Sequence, residues 1–324
     1  MTRDEAVAKS AKLNVRTLPP RRQFEKQFAD EQACREHFSK VRWPDGVVVC
    51  PRCLKSDRVK EINQPWRWQC RNCSKNGYRF SLTTGTIFEN TKYPLSQWFR
   101  VIYTMLQSKK GVSALQLHRD LGSGDYRTAW YMCHRIRAAM QSDEIMRLGG
   151  EVEIDETYVG GKNSNRPLSK RKQPKKGGRG LGSRNTDKVA VIGAISRKGN
   201  VIARVVERLD TETVGTFVER AISEKVSLVA SDEAPVYHFM EHDGWTRGRA
   251  ALPHETVNHR SQEYVRGNVH TAHIDSFWSL LKRGIMGSFH KVSKDYLPLY
   301  VNEFAFRHNH RRDADVFNAV LRFA

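Results

Sequence analysis

Glu151-Val152-Glu153-Ile154-Asp155-Glu156-Thr157-Tyr158-Val159-Gly160-Gly161-Lys162 is the stretch on which the fold turns. Its first half alternates acidic and β-branched residues, the pattern of a half-buried strand. On that parity Glu151, Glu153 and Asp155 share one face and Val152 and Ile154 the other, and Gly160-Gly161 ends the strand in a turn. Carboxylates crowded on one side of a strand need a cation or a proton between them. An edge strand with solvated acids carries the same pattern, so the remainder of the chain has to decide.

The chain has 324 residues, room for two or three domains that each bury a core. Its 55 Lys and Arg against 35 Asp and Glu leave a net charge of +20, which points to a polyanionic partner. The basic residues are spread over the whole chain and not confined to one helix, which favours double-stranded DNA over a membrane surface. No apolar run is long enough to cross a bilayer. Residues 1–22 lack the apolar core of a signal peptide and read as a disordered basic leader ending in Pro19-Pro20-Arg21-Arg22.

Downstream, Phe24 to Lys40 carries a loose helical stripe, closed by the turn Trp43-Pro44-Asp45-Gly46. Cys50-Pro51-Arg52-Cys53 and Cys70-Arg71-Asn72-Cys73 follow, with sixteen residues between them. Two such knuckles fit a closed four-thiolate zinc site of structural type, a zinc ribbon. Redox or disulfide pairs are the competing reading, but no βαβ pattern surrounds either pair. Arg52, Lys55, Arg58, Lys60, Arg67, Arg71, Lys75 and Arg79 stud the ribbon beside Trp66 and Trp68. That mixture suits contact with a DNA backbone, although the tryptophans also serve to cover a small core. Tyr78 to Leu82 reads as the ribbon's last strand, and Pro94 opens a helix to about Ser108.

Gly111 to Met140 has the shape of a helix-turn-helix: Ser113 caps Ala114–Leu121, Gly122-Ser123-Gly124 turns, and a longer helix follows. Arg127, His134, Arg135 and Arg137 are its candidates to face a DNA groove, while a hairpin that only packs is the alternative. Cys34 and Cys133 read as buried small hydrophobes. Gly149-Gly150 marks the expected domain boundary. Lys162 to Lys188 holds ten basic residues and one acid, and reads as a mobile cationic loop, with Lys162, Lys170, Arg171 and Lys172 as DNA contacts.

From Val189 the pattern is α/β: a buried strand Val189–Ile195, a hairpin turn at Gly199-Asn200, a partner strand to Leu209 and a helix from Thr211 to Lys225. A short strand then ends in Ser231-Asp232, where open α/β sheets keep their sites, although Asp232 also suits a helix cap. Thr256 to His259 reads as a last strand. Along His270 to Arg283, Ile274, Phe277, Trp278 and Leu281 form one buried stripe, and Asp275, Ser279 and Lys282 lie on an adjacent face. A carboxylate and a lysine so placed suit a site for both metal and phosphate.

Several of these stretches together resemble one family. They are Arg42-Trp43-Pro44-Asp45-Gly46, the four cysteines, Gly85-Thr86-Ile87-Phe88, the run Asp155 to Lys162, Ser231-Asp232 and Phe277-Trp278-Ser279-Leu280-Leu281-Lys282-Arg283. From about Phe24 to Ala324 the chain resembles bacterial insertion-sequence transposases of the DDE class, of the insertion sequence fifteen-ninety-five family with its ISXO-two-like transposase domain. The resemblance implies an RNase H-like mixed sheet flanked by helices over 149–324, after a helix plus zinc ribbon over 23–92 and a helix-turn-helix region over 93–148. It implies Asp155, Asp232 and Asp275 as ligands of two Mg²⁺ or Mn²⁺ ions, and Lys282 on a phosphate of the transposon end. The third acid departs from the class's Glu, which leaves His270 and His273 open as alternatives to Asp275. The implied setting is a bacterial cytoplasm at the nucleoid, and the joining of two DNA ends implies a homo-oligomer on DNA. A DNA-binding regulator with an inactive catalytic domain, and a nuclease that cuts without joining, are the rival readings.

Overall fold

The computed structural model describes residues 18–122, 124–141, 147–160, 169, 188–197, 199–242, 251–258 and 265–324. The chain divides into two compact units, residues 1–141 with 310–324, and residues 142–309.

In the first unit, α1 (Arg21–Gln27) and α2 (Glu31–Arg42) replace the single helical stripe expected between Phe24 and Lys40. The break has a local cause. Asp30 is extended and its carboxylate accepts the Ala33 N–H at 2.7 Å, so it starts a new helix. Arg21 and Arg22, expected to close the leader, are already helical.

Three short antiparallel strands follow: β1 (Val59–Glu61), β2 (Arg67–Cys70) and β3 (Tyr78–Ser81), in the order β1-β2-β3. Then come α3 (Leu95–Gln107), α4 (Ala114–Leu121) and α5 (Tyr126–Ala139). Ser113 caps α4 by accepting from Gln116 N, and Gly122 ends it in the left-handed conformation at φ 63°. The final helix, α9 (Val316–Arg322), returns to this unit and packs Phe317 among Phe24, Phe28 and Phe99. The expected last segment, 149–324, therefore does not stay together to its end.

The second unit is built on a five-stranded sheet. Its strands are β4 (Leu148–Val159), β5 (Val189–Ser196), β6 (Val201–Val206), β7 (Ile222–Asp232) and β8 (His254–Val257). The order is β6-β5-β4-β7-β8; β4, β5 and β6 pair antiparallel, whereas β7 runs parallel to both β4 and β8. Helix α6 (Thr211–Ala221) and the 3₁₀ turn Pro235–Glu241 cover one face, with Val152, Ile154, Ile192 and Val229 in a common core. Helices α7 (Ala272–Gly284) and α8 (Leu297–Asn309) cover the other, over Val191, Ile195 and Val201. This mixed sheet with helices on both faces is the RNase H-like arrangement.

Two local expectations change. Gly149-Gly150 does not interrupt the chain but lies inside β4, where Gly150 at φ 70° accompanies a shift in the pairing with β7. The helix expected to reach Lys225 stops at Ala221, because Ile222 turns extended and pairs with Leu148. Sheet pairing by β-branched Ile222 overrides the helical spacing.

Candidate functional site

In the ribbon, backbone turns present the cysteines in pairs: Leu54 N donates to Cys50 O, and Cys50 N to Lys55 O. The sulfurs of Cys50 and Cys73 lie 3.7 Å apart, those of Cys53 and Cys70 3.6 Å, and those of Cys73 and Cys70 3.9 Å. A zinc–sulfur bond of about 2.3 Å places tetrahedral thiolates roughly 3.8 Å apart. The four sulfurs thus outline a zinc-sized tetrahedron. Burial and the three neighbouring sulfurs push the Cys73 thiol up to about 12. Burial also opposes ionisation at Cys50, but the Cys53 and Arg52 backbone N–H groups and two thiols bring it down to about 7. Four sulfurs that cannot all ionise alone are the donor set that zinc completes.

In the sheet, Glu153 pairs with Ala230 of the parallel neighbour, so Asp155 and Asp232 come level, two residues further along each strand. Both therefore emerge on the α7 side, where β4 keeps only β5 as a partner. Asp155 accepts from the Trp278 indole Nε1 at 3.0 Å. The register sets Gly193 opposite Asp155, and a Cβ there would lie 2.6 Å from the Trp278 ring. A glycine at this point is what lets the indole reach the carboxylate. An open pocket of about 500 Å³ is lined by Asp155, Glu156, Asp275, Ser279, Lys282 and Arg283, among others. Asp275 is steadied by the Thr271 hydroxyl, which donates to it at 3.1 Å.

The electrostatics at Asp155 are decisive for its chemistry. Burial, then the charges of Glu156, Asp275 and Asp232, push its carboxyl up to about 8. Three aspartates facing one region, with oxygen donors only, fit a hard divalent cation. Asp155, Asp232 and Asp275 are set more widely than the tightest groups of metal-capable side chains, which bring their ligand atoms within 4.8 Å. Asp232 does not cap the following 3₁₀ turn, whose N-cap is Ala234; its Oδ1 accepts the Ala234 N–H at 3.1 Å in a local turn.

His270 and His273 go elsewhere. Both Nδ1 atoms approach Oε1 of the fully buried Glu153, at 3.2 and 2.8 Å. Glu153 Oε2 accepts the His273 and Ile274 N–H groups at the start of α7, and Arg197 Nε lies 3.1 Å from Oε1. Arg197 also pairs with Glu151. The cation that the acidic strand needs at Glu151 and Glu153 is a guanidinium, while Glu153, His270 and His273 also bring one ligand atom each within 4.8 Å of one another, a second set of side chains able to hold a metal ion. Glu153 pins the start of α7 to β4, and Asp275 follows within the first turn. On the opposite face, the buried Tyr237 hydroxyl donates to Glu156 at 2.6 Å, while burial raises that carboxyl. The sequence pattern marks Trp278 only as a core residue, and it leaves Arg197 and Tyr237 unmarked.

Of the DNA contacts expected in the helix-turn-helix, Arg127 is exposed. Three need correction, and the first is His134, which is only 6% exposed on the buried side of α5. Arg137 is only 2% exposed, buried with Ile136 and Met140, and cannot face a groove. Arg135 donates to the carbonyls of Glu89 and Thr86, which occupies its guanidinium within the unit. Lys162, Lys170, Arg171 and Lys172 lie outside the described residues.

Comparison with known proteins agrees with this geometry. Residues 147–309 match the ISXO2-like transposase domain, and residues 29–76 match the transposase zinc-ribbon domain. The chain is 28% identical over 289 residues to an uncharacterized protein in transposable element ISH50 of Halobacterium salinarum, covering 87% of this chain and 92% of that one. No solved structure matches it. No helix among the described residues is long and apolar enough to cross a membrane. With an acidic site on an RNase H-like sheet, a four-cysteine ribbon and both domain matches, the chain belongs to the ISXO2-like transposases.

Proposed function

We propose that this transposase cleaves DNA at the ends of its insertion sequence and joins those ends to target DNA, using two Mg²⁺ ions. The observation that carries the reading is the shared pocket of Asp155, Asp275 and Lys282, with Asp155 crowded by three further carboxylates. Asp155, Asp232 and Asp275 would hold the ions. Bound there, the ions would supply activation of the attacking water or 3′-hydroxyl and stabilisation of the leaving oxygen. Trp278 fixes one oxygen of Asp155, which orients the other toward the pocket. Lys282 steadies a phosphate of the transposon end, and no covalent protein–DNA intermediate is required. The ribbon's basic face and Arg127 hold the DNA backbone, and the two ends are brought together by a homo-oligomer.

The test is a strand-transfer assay with labelled ends and Mg²⁺. Asp155→Asn should abolish cleavage and joining together while end binding persists in a mobility-shift experiment. Retained cleavage in that variant removes Asp155 from the role. Cleavage by the wild type without joined products makes the protein a nuclease only, and end binding that never leads to cleavage makes it a regulator.

A further inference from the structure

The pocket-lining face of α7 does not end at Lys282 and Arg283. One turn beyond Lys282 the helix passes into a π-turn, Ile285–Phe289, and Met286 there is 75% exposed. Both ends of this turn are anchored. Ile285 is buried in the core shared with Trp278, Leu281 and Leu297, and the Phe289 ring packs on Tyr300 at 4.6 Å. Between the anchors Met286 and Gly287 project, with nothing within 4 Å of where a Gly287 side chain would begin. The thioether is therefore presented on a held turn, not on a loose loop.

Its surroundings identify the partner. Lys282, Arg283, His290 and Lys291, all exposed, flank it in sequence, and Gly287 beside it has no side chain. A second protein surface would call for a continuous apolar patch, which these neighbours do not provide. A single apolar knob in a basic field, next to a site for a phosphodiester, matches the wedge that DNA-bending proteins insert between base pairs.

We propose that Met286 enters the base step beside the scissile phosphate and unstacks the terminal base pairs, so that the strand can reach Asp155 and Asp275. The proposal rests on the DNA-cleaving reading above and names the form of DNA that the site accepts, an end opened by one step. Lys282 and Arg283 neutralise phosphates while Met286 replaces the lost stacking partner.

The full-length protein would be given two end duplexes, one fully paired and one mismatched at the cleavage step. On paired ends Met286→Ala should cleave about tenfold more slowly or worse, the cost of unstacking a step unaided, and Met286→Leu should stay close to wild type. On mismatched ends Met286→Ala should recover to the wild-type rate. A 2-aminopurine placed at the step should brighten when the wild type binds without divalent ions, and remain quenched with Met286→Ala. Equal cleavage of paired ends by Met286→Ala and wild type overturns the proposal. So does an equal defect on both duplexes, or a change of oligomeric state in Met286→Ala, which would make this a contact between copies. The fluorescence arm does not depend on cleavage, so an inactive wild type would sink the cleavage reading while the wedge is still decided.

Discussion

Gly193 shows how little separates a strand position from an active-site position. It is an interior residue of β5 with ordinary strand geometry, and its significance comes from the Trp278 ring lying where a Cβ would be. Gly193→Ala should displace the indole and release Asp155 from its donor. Cleavage should fall by about tenfold or more, the value of one hydrogen bond to a charged group, with end binding unchanged. Single-turnover rates on pre-bound ends would check this. A variant as fast as wild type would show that the indole contact is only packing. Asp155 reads as an acid on a strand in the sequence, but its crowding by Glu156, Asp275 and Asp232 depends on three separate elements.

Between elements, the sheet's parallel edge carries its own polar chain. Ser231 on β7 meets His254 Nε2 on β8 at 2.8 Å, and His254 Nδ1 meets Glu241 at 3.1 Å. Burial holds His254 below its ordinary value of 6.5, against the pull of Glu241. A histidine with a lowered folded pKa leaves the folded protein with fewer bound protons than the unfolded chain. Its contribution to stability is therefore complete above pH 6.5 and is lost as the pH falls through the folded pKa. Urea unfolding at pH 7.5 and pH 5, as about the two sides of that range, should show the wild type losing more stability on acidification than His254→Gln. Equal losses would mean that His254 is not the group responsible. Since Ser231 precedes Asp232, this pairing also sets where the strand delivers its carboxylate.

At the scale of the molecule, the sheet unit and the ribbon are held together by different means. The unit over residues 142–309 buries a sheet between helices, whereas the ribbon has only three short strands and a few aromatic contacts such as Trp43 with Trp68. A segment of that size depends on its metal for folding. Chelating zinc should therefore melt the ribbon and weaken DNA binding, while the far larger sheet unit keeps its transition. Two thermal transitions, of which only one responds to chelator and to added zinc, would be the result expected. A melt and a DNA affinity indifferent to chelator would mean that the thiols do not hold a structural ion.

What the sequence determined by itself is whatever repeats over short distances. The acidic strand, the paired cysteines, the Ser113-capped helix and the buried stripe of α7 follow from local spacing, because period and capping act over a few residues. The tertiary structure alone decided which long-range partners satisfy those residues. Arg137 was exposed by helical counting and is buried by packing. His270 and His273 are open to a metal by type, and the structure gathers them at Glu153 at the start of α7, apart from the pocket of Asp155 and Asp275. Gly149-Gly150 looked like a boundary and is a bulge in the central strand. In each case the deciding energy lies between elements distant in the chain, where a buried charge must find its counterpart and a strand must find its register, and no local pattern encodes that choice.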